Sequence, residues 1–194
     1  MKIGCAILAG GKSSRMGSDK AFLELEGKSF IQKLCEEFDC FEEKIIARGN
    51  RGDIGNILWK IIPDRYVECG PIGGLHAILS TCKSEVMFCV SCDMPFLEHS
   101  LVEELCKYLS DDTEAVIAVT QDGRKHPLCG LYRKSVVSVL EEQILSGNYR
   151  MMGVLDKIKV NYVTITSQNT QQLRNINTPQ EYLTVLKKFP SLSV

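Results

Sequence analysis

The apolar run IGCAIL at residues 3–8 leads directly into a glycine-rich loop, AGGKSSRMGSDK, at residues 9–20. A short, continuous apolar run is typical of a strand that is buried on both faces, as in a parallel sheet. The adjacent Gly10 and Gly11 then end the run. The sequence therefore predicts a buried first strand whose carboxyl end leads into a loop that can turn tightly.

The rest of the chain alternates short apolar runs with segments of helical period. Further strands are predicted at residues 44–47, 58–62, 86–90, 115–119, 127–132 and 160–165. Helices are predicted at residues 29–38, from Pro71 onward, and at residues 98–109, 135–145 and 179–189, the last with Thr178 as its N-cap. This alternation predicts a three-layer α/β fold with a mostly parallel central sheet, and we expect residues 1–194 to form a single domain.

Polar and glycine residues follow the predicted strands at the points where each strand ends. Gly10 follows the first strand, Arg48 the second, Asp64 the third and Asp93 the fourth. Ligands of open α/β sheets bind in the crevice beyond the carboxyl ends of the strands. The sequence therefore places a ligand site at this edge of the sheet.

The loop after the first strand has the chemistry of a phosphate site. Glycines allow backbone N–H groups to approach a ligand, Arg15 can hold two phosphate oxygens at once, and Lys20 supplies a point charge. The alternative is an ordinary Gly/Ser loop with solvated cations. A Walker A loop is excluded because Ala6 occupies the position of its first glycine, and the spacing of the glycines does not match a dinucleotide-binding loop.

Composition excludes several classes of function. The formal net charge of −1 argues against broad electrostatic binding to nucleic acid or to an anionic membrane. No apolar segment is long enough to span a bilayer, and the first apolar run is too short for a signal peptide. Nine scattered cysteines therefore indicate reduced thiols in a cytoplasmic protein. The Cys89–Cys92 pair forms a CxxC without a second such motif, so buried thiols are favoured over a zinc or redox site.

Five motifs make the chain resemble the molybdenum cofactor guanylyltransferases, the MobA family of the nucleotidyltransferase superfamily. The first, LAGG at residues 8–11 with RMG at 15–17 and DK at 19–20, is shared with related sugar-phosphate and cytidylyl enzymes. The others are GPIGGL at 70–75, CDMPF at 92–96, HPLCGLY at 126–132 and NINTP at 175–179. The resemblance runs in order from residue 3 to about residue 185, and it implies a Rossmann-like nucleotidyltransferase fold.

The resemblance also implies roles for individual residues. It implies that Asp93 holds Mg²⁺, an ion that prefers oxygen ligands. Together with this metal-bearing Asp93, we expect Arg15 and Lys20 to be catalytic, because their charges can offset the charge that moves to the leaving group. The implied GTP-binding residues are Leu8, Ala9, Gly10, Gly11, Lys20, Asn50, Asp64 and Asp93. Asn50 and Asp64 can bond the base or the ribose, but both are also common turn residues.

The expected acceptor site lies in the second half of the chain, and the GTP site in the first half. The candidate molybdopterin-binding residues are Gly73, Gly74, Arg124, His126, Asn175 and Asn177. Each has a plainer alternative: tight helix packing for the glycines, a solvated turn for residues 124–126, and helix capping for the asparagines. His76 and His99 are interpreted as ordinary surface or packing residues, and Met151 and Met152 as core residues.

The implied reaction transfers GMP from GTP to the terminal phosphate of molybdopterin and releases pyrophosphate. GTP and molybdopterin are the expected small-molecule substrates, and transient contact with other cofactor-biosynthesis or molybdoenzyme-maturation proteins is expected. One rival is a nucleotidyltransferase that uses CTP, or a sugar or polyol phosphate acceptor. Another is a GTP-binding protein without catalytic activity.

Overall fold

The computed structural model describes residues 2–10, 19–49, 54–166 and 170–188. The strands are β1 (Ile3–Leu8), β2 (Glu24–Leu25), β3 (Lys28–Ser29), β4 (Lys44–Ala47), β5 (Lys60–Ile62), β6 (Val86–Ser91), β7 (Ala115–Val119), β8 (Lys125–Arg133) and β9 (Val160–Thr164). The α-helices are α1 (Phe30–Glu37), α2 (Pro71–Thr81), α3 (His99–Cys106), α4 (Val137–Leu145), α5 (Met151–Leu155) and α6 (Pro179–Lys188). Short 3₁₀ helices span Lys20–Phe22, Lys134–Val136 and Thr170–Leu173.

Seven of the strands form one sheet in the order β5-β4-β1-β6-β8-β7-β9. The neighbours β5, β4, β1 and β6 are mutually parallel, as are β7 and β9. Strand β8 runs antiparallel to both of its neighbours, β6 and β7. The expectation of a mostly parallel central sheet is confirmed, with one reversed strand.

The central strands are buried on both faces, as their apolar sequences predict. Along β1, Cys5 and Ile7 point into one core cluster, whereas Ala6 and Leu8 point into the other. Helices α1 and α3 pack on the first cluster, and α2, α4 and α5 pack on the second. The period of two along a strand therefore produces the three layers.

Local sequence signals explain where several helices begin. Ser29 caps α1 through a capping box with Gln32, and Pro71 occupies the first turn of α2. The expected cap of α6 is confirmed: Thr178 Oγ1 accepts the Glu181 N–H, and the Glu181 carboxylate accepts the Thr178 N–H. The predicted helix at residues 98–109 is shorter in the structure, ending at Cys106.

Other expectations require correction. Leu58, placed in the third strand, is fully exposed and precedes β5. Met152, placed in the core, is 36% exposed on α5, a helix that the sequence did not predict. The β2–β3 hairpin was also missed, because each strand has two residues and its turn rests on positive φ angles at Glu26 and Gly27.

The CxxC pair does not form one site. Cys89 lies in the core cluster on one side of the sheet and Cys92 in the cluster on the other side. All nine cysteines are free. In the part of the chain that the structure describes, no group of three or more His, Cys, Asp or Glu side chains could hold a metal ion.

Each helix among the described residues is too short or too polar to span a bilayer.

A substitution at Gly130 tests how closely β8 packs between β6 and β7. A Cβ atom at this position would lie 2.5 Å from the Val116 carbonyl oxygen, a backbone atom that cannot move aside alone. We expect Gly130→Ala to lower the free energy of unfolding by about 1–3 kcal/mol, measured by urea denaturation. The exposed Ser138→Ala control should change it by less than about 0.5 kcal/mol. Equal stability of both variants would contradict this packing.

Candidate active site

The direction of winding of the chain reverses between β1 and β6. From β1 the chain moves outward to β4 and β5, and it then crosses to β6 on the other side of β1. Such a reversal leaves a crevice at the carboxyl ends of the two strands. A pocket of about 180 Å³ lies there, and it is lined by Leu8, Ala9, Gly10, Asp19, Lys20, Pro71, Ser91, Cys92, Asp93 and Leu128.

Backbone hydrogen bonds hold the floor of this pocket beyond the ends of the strands. The Cys92 N–H donates to the Leu8 carbonyl at 3.0 Å, and the Ala9 N–H donates to the Ala47 carbonyl at 2.8 Å. These contacts extend the β1–β6 and β1–β4 ladders by one step. Asp93, two residues after β6, is therefore held directly beside the end of β1.

Lys20 and Asp93 meet in this crevice. Lys20 Nζ lies 3.5 Å from Asp93 Oδ2, and it donates a hydrogen bond of 2.6 Å to Asn177 Oδ1. The two charged side chains are only 19% and 12% exposed. Partial burial weakens solvent screening, so each charge acts strongly on the other and on any ligand between them.

Asp93 is fixed by a segment from the C-terminal part of the chain. Asn175 Nδ2 donates to Asp93 Oδ1 at 3.0 Å, and the Ile176 N–H donates to the Asp93 carbonyl oxygen at 2.9 Å. Side chain and backbone of Asp93 thus both bond residues 175–176. One oxygen of the carboxylate is occupied by an amide, and the other faces the ammonium group.

A small apolar cluster brings this C-terminal segment to the crevice. Ile176 and Val185 of the C-terminal part pack with Leu25 and Phe30, all of them buried. Tyr182 adds a hydrogen bond from its hydroxyl to the Glu24 carbonyl. The β2–β3 hairpin, α1 and α6 therefore position Asn175 and Asn177 together. The interpretation of these asparagines as simple helix caps is wrong, because their side chains bond Asp93 and Lys20.

His126 also reaches this centre, because the reversed direction of β8 places the start of that strand beside the carboxyl end of β6. Its side chain is buried, and burial, with a smaller effect from Arg124, lowers its pKa. The Asn175 amide and the Asp93 carboxylate act in the opposite direction and raise the pKa of His126. In contrast, Arg124 and Lys125 are exposed, so residues 124–126 do not form one cationic patch.

Asp64 lies on the other side of β1, beyond β5. Burial raises the pKa of its carboxyl group, and a hydrogen bond from the Gly49 N–H acts in the opposite direction. Its Oδ1 atom is buried and accepts no hydrogen bond from the residues described. A buried acceptor without a donor is costly in a protein, so this oxygen is suited to a ligand donor.

Gly73 allows α2 to pack closely on the loop that follows β5, and Gly74 allows it to approach the ends of β1 and β4. A Cβ atom on Gly73 would lie 2.7 Å from the Tyr66 carbonyl oxygen, and one on Gly74 would lie 3.2 Å from Leu8 Cδ2. Both glycines are buried. Their role in the structure is the tight helix packing that the sequence left open as an alternative.

The Cys92 thiol lies in the pocket wall and is buried. Burial, with smaller effects from the Asp93 and Asp19 carboxylates, raises its pKa to about 12. This shift disfavours the thiolate, the form in which a cysteine acts as a nucleophile.

Arg48 is a charged residue of this region to which the sequence interpretation gave no role. It follows β4, is 3% exposed, and donates from Nη2 to Asp19 Oδ2 at 3.1 Å. A charged residue directly after the apolar run of β4 was the available signal. Its acidic partner, 29 residues earlier in the chain, was not evident from the pattern.

The structure brings together Leu8, Ala9, Gly10, Lys20, Asp93, His126, Asn175 and Asn177. Three further candidate residues, Gly11, Arg15 and Asn50, lie outside the described residues. Among the described residues, the arrangement offers the Lys20 ammonium group, the Asp93 and Asp19 carboxylates, and the backbone of residues 8–10 beside a crevice. Such a set can bind a polyanion and offset the charge that moves between its phosphates.

Comparison with known proteins identifies the family. The family model described as "MobA-like NTP transferase domain" matches residues 5–161. A Clostridium perfringens protein named "Probable molybdenum cofactor guanylyltransferase" is 33% identical, and the match covers 97% of this chain and 98% of that protein.

Solved structures share the fold of this chain. A structure from Aquifex aeolicus has a TM-score of 0.78 and 31% identity, covering 90% of this chain and 93% of that one. The molybdopterin-guanine dinucleotide biosynthesis protein A of Archaeoglobus fulgidus has a TM-score of 0.82 at 24% identity, covering 97% and 98%, and shows the same fold. The family resemblance of the motifs is thereby confirmed, and the chain belongs to the MobA-like NTP transferases, a family of nucleotidyltransferase enzymes.

Proposed function

We propose that the protein transfers GMP from GTP to the terminal phosphate of molybdopterin and releases pyrophosphate. The observation that carries this proposal is the pairing of Lys20 with Asp93, 3.5 Å apart, in the crevice between β1 and β6. The name of the Clostridium perfringens relative supports the choice of substrates.

The first half of the chain is proposed to bind GTP. Leu8, Ala9 and Gly10 line the pocket with backbone that can approach a nucleotide, and Lys20 faces it. The buried Oδ1 atom of Asp64 can accept a hydrogen bond from a ribose hydroxyl or a guanine N–H. Gly11, Arg15 and Asn50 remain predicted members of the same site.

The acceptor is proposed to enter from the side of the second half of the chain. His126, Asn175 and Asn177 lie around Asp93 there and can bond the terminal phosphate of the pterin. Arg124 is exposed beside them, and it can attract the anion from solvent. Gly73 and Gly74 complete the candidate set, and in the structure they allow the close packing of α2.

The proposed reaction does not require a general base. The attacking phosphate oxygen is already ionised near neutral pH, and it forms a bond to the α-phosphorus of GTP. The bond from that phosphorus to the bridging oxygen breaks, and its electron pair leaves with pyrophosphate. Lys20 stabilises the charge that develops on the leaving group, and the strand ends align the two reactants.

The donor set at Asp93 fits a magnesium ion. Asp93 supplies a hard oxygen ligand, and Asn175 fixes the orientation of its carboxylate. Water molecules and phosphate oxygens would complete the coordination shell of the ion, as is usual for Mg²⁺ in proteins. When bound, Mg²⁺ would polarise the phosphate oxygens and offset their charge.

Removal of either charge in the crevice should abolish most of the turnover. We expect Lys20→Ala and Asp93→Asn each to lower kcat about a hundredfold, corresponding to about 3 kcal/mol of transition-state stabilisation. The measurement is pyrophosphate release from GTP with molybdopterin as acceptor.

The matched control is Lys107→Ala, which removes an exposed lysine paired with Glu104 far from the crevice. This variant should turn over at the wild-type rate. Circular dichroism should show that all three variants are folded. Near-normal guanylyl transfer by folded Lys20→Ala or Asp93→Asn protein would overturn the proposed site.

The choice of nucleotide can be tested without the acceptor. With Mg²⁺ present, GTP at a hundred times its dissociation constant should stabilise the protein by about 2.7 kcal/mol and raise its Tm. CTP, UTP and ATP at the same concentration should give smaller shifts. A larger shift with CTP would favour a cytidylyltransferase, and GTP binding without pyrophosphate release would favour a binding protein.

A further inference from the structure

Arg48 is a buried cation that lies beside the crevice and does not line its pocket. Only 3% of the residue is exposed, so its charge has little access to solvent. Burial of a guanidinium is unfavourable unless it is paired. Two contacts that help to compensate for this burial come from a short segment that precedes β2.

Two side chains of the segment at residues 19–22 hold the guanidinium group. Asp19 Oδ2 accepts a hydrogen bond of 3.1 Å from Arg48 Nη2. The Phe22 ring covers the same group, with its centroid 5.0 Å from the Arg48 Cζ atom. An ion pair and a cation–π contact therefore attach both ends of the segment to the end of β4.

Asp19 also fixes the local backbone. Its Oδ1 atom accepts the Ala21 N–H at 3.1 Å, which begins the 3₁₀ helix Lys20–Phe22. Ala21 is fully buried in the core cluster that contains Cys5 and Ile7 of β1. Lys20 lies between the capping residue Asp19 and the buried Ala21, so its backbone has little freedom.

The fixed backbone sets the point from which the Lys20 side chain extends, and contacts at its tip set its direction. From its fixed position, Nζ reaches Asn177 Oδ1 at 2.6 Å and lies 3.5 Å from Asp93 Oδ2. A chain of contacts thus crosses the sheet edge, from Arg48 after β4, through Asp19 and Lys20, to Asp93 after β6.

We propose that Arg48 is a positioning residue that acts through Asp19 to hold Lys20 facing Asp93. The consequence for catalysis rests on the proposed function, whereas the consequence for the position of Lys20 does not. Arg48 is not among the residues that line the described pocket, so its proposed role is to hold Asp19 and not to contact the nucleotide.

The position of Lys20 can be measured by its reactivity. N-hydroxysuccinimidyl acetate acetylates accessible lysine amines, and mass spectrometry gives the rate at each site. Lys20 is 19% exposed in the side chain, whereas Lys107 is 66% exposed and serves as the internal reference. We expect Arg48→Met and Asp19→Asn each to raise the Lys20 rate several-fold relative to Lys107. Arg48→Lys, which retains a charge for Asp19, should give an intermediate rate.

The control for general loosening of the fold is Arg133→Met. Arg133 donates hydrogen bonds to the Thr113 and Ser110 carbonyls, and it ends β8 at the opposite edge of the sheet. This variant should leave the Lys20 rate unchanged even if it lowers Tm. If Arg48→Met does not fold, Asp19→Asn decides the question by the same readout.

Kinetics then separate positioning from direct binding. We expect Arg48→Met to lower kcat by about tenfold or more, with the KM for GTP little changed and partial rescue by Arg48→Lys. An unchanged Lys20 rate in both Arg48→Met and Asp19→Asn would overturn the proposal. So would a raised KM with kcat intact, which would make Arg48 a substrate-binding residue. Activity retained by Lys20→Ala would instead refute the proposed function, and the labelling result would still stand.

Discussion

A lysine ammonium group and an aspartate carboxylate lie 3.5 Å apart at the edge of a parallel sheet, and the candidate site is organised around that contact. Each group is held by contacts with side chains or backbone of other segments. Lys20 is held through Asp19 and Asn177, and Asp93 is held through Asn175 and the backbone of Ile176. Charges that are held in place before a ligand arrives need little reorganisation during the reaction, which is the usual source of catalysis in phosphate chemistry.

The topology of the sheet explains why the site lies where it does. The reversal of winding at β1 leaves the carboxyl ends of β1 and β6 without a covering connection, so a crevice forms there. Strand β8 runs in the opposite direction to its neighbours, and its first residues, including His126, are therefore brought to the same edge. The C-terminal segment at residues 175–177 is held beside this edge of the sheet, because Ile176 packs in a cluster with Leu25 and Phe30. Residues from both halves of the chain thus meet at Asp93.

Sequence patterns predicted the parts of the site but not all of its connections. The apolar runs predicted β1, β4 and β6, and the residues that follow them, Gly10 and Asp93, lie in the crevice as expected. The bonds of Lys20 to Asn177 and of Asn175 to Asp93 join residues 157 and 82 positions apart, so no local pattern carries them. The Arg48–Asp19 pair was missed for the same reason. The two-residue strands of the β2–β3 hairpin are too short for a periodic signal.

The central claim is that Asp93 holds the metal ion and Lys20 contacts the triphosphate of one bound nucleotide. A crystal structure with Mn²⁺ and a non-hydrolysable GTP analogue tests it most directly, because manganese gives an anomalous signal at its position. We expect a manganese peak about 2.1 Å from an Asp93 carboxylate oxygen and in contact with phosphate oxygens. We also expect Lys20 Nζ to lie within hydrogen-bond distance of a phosphate oxygen. A triphosphate bound away from the β1–β6 crevice, or a metal ion that makes no contact with Asp93, would contradict it.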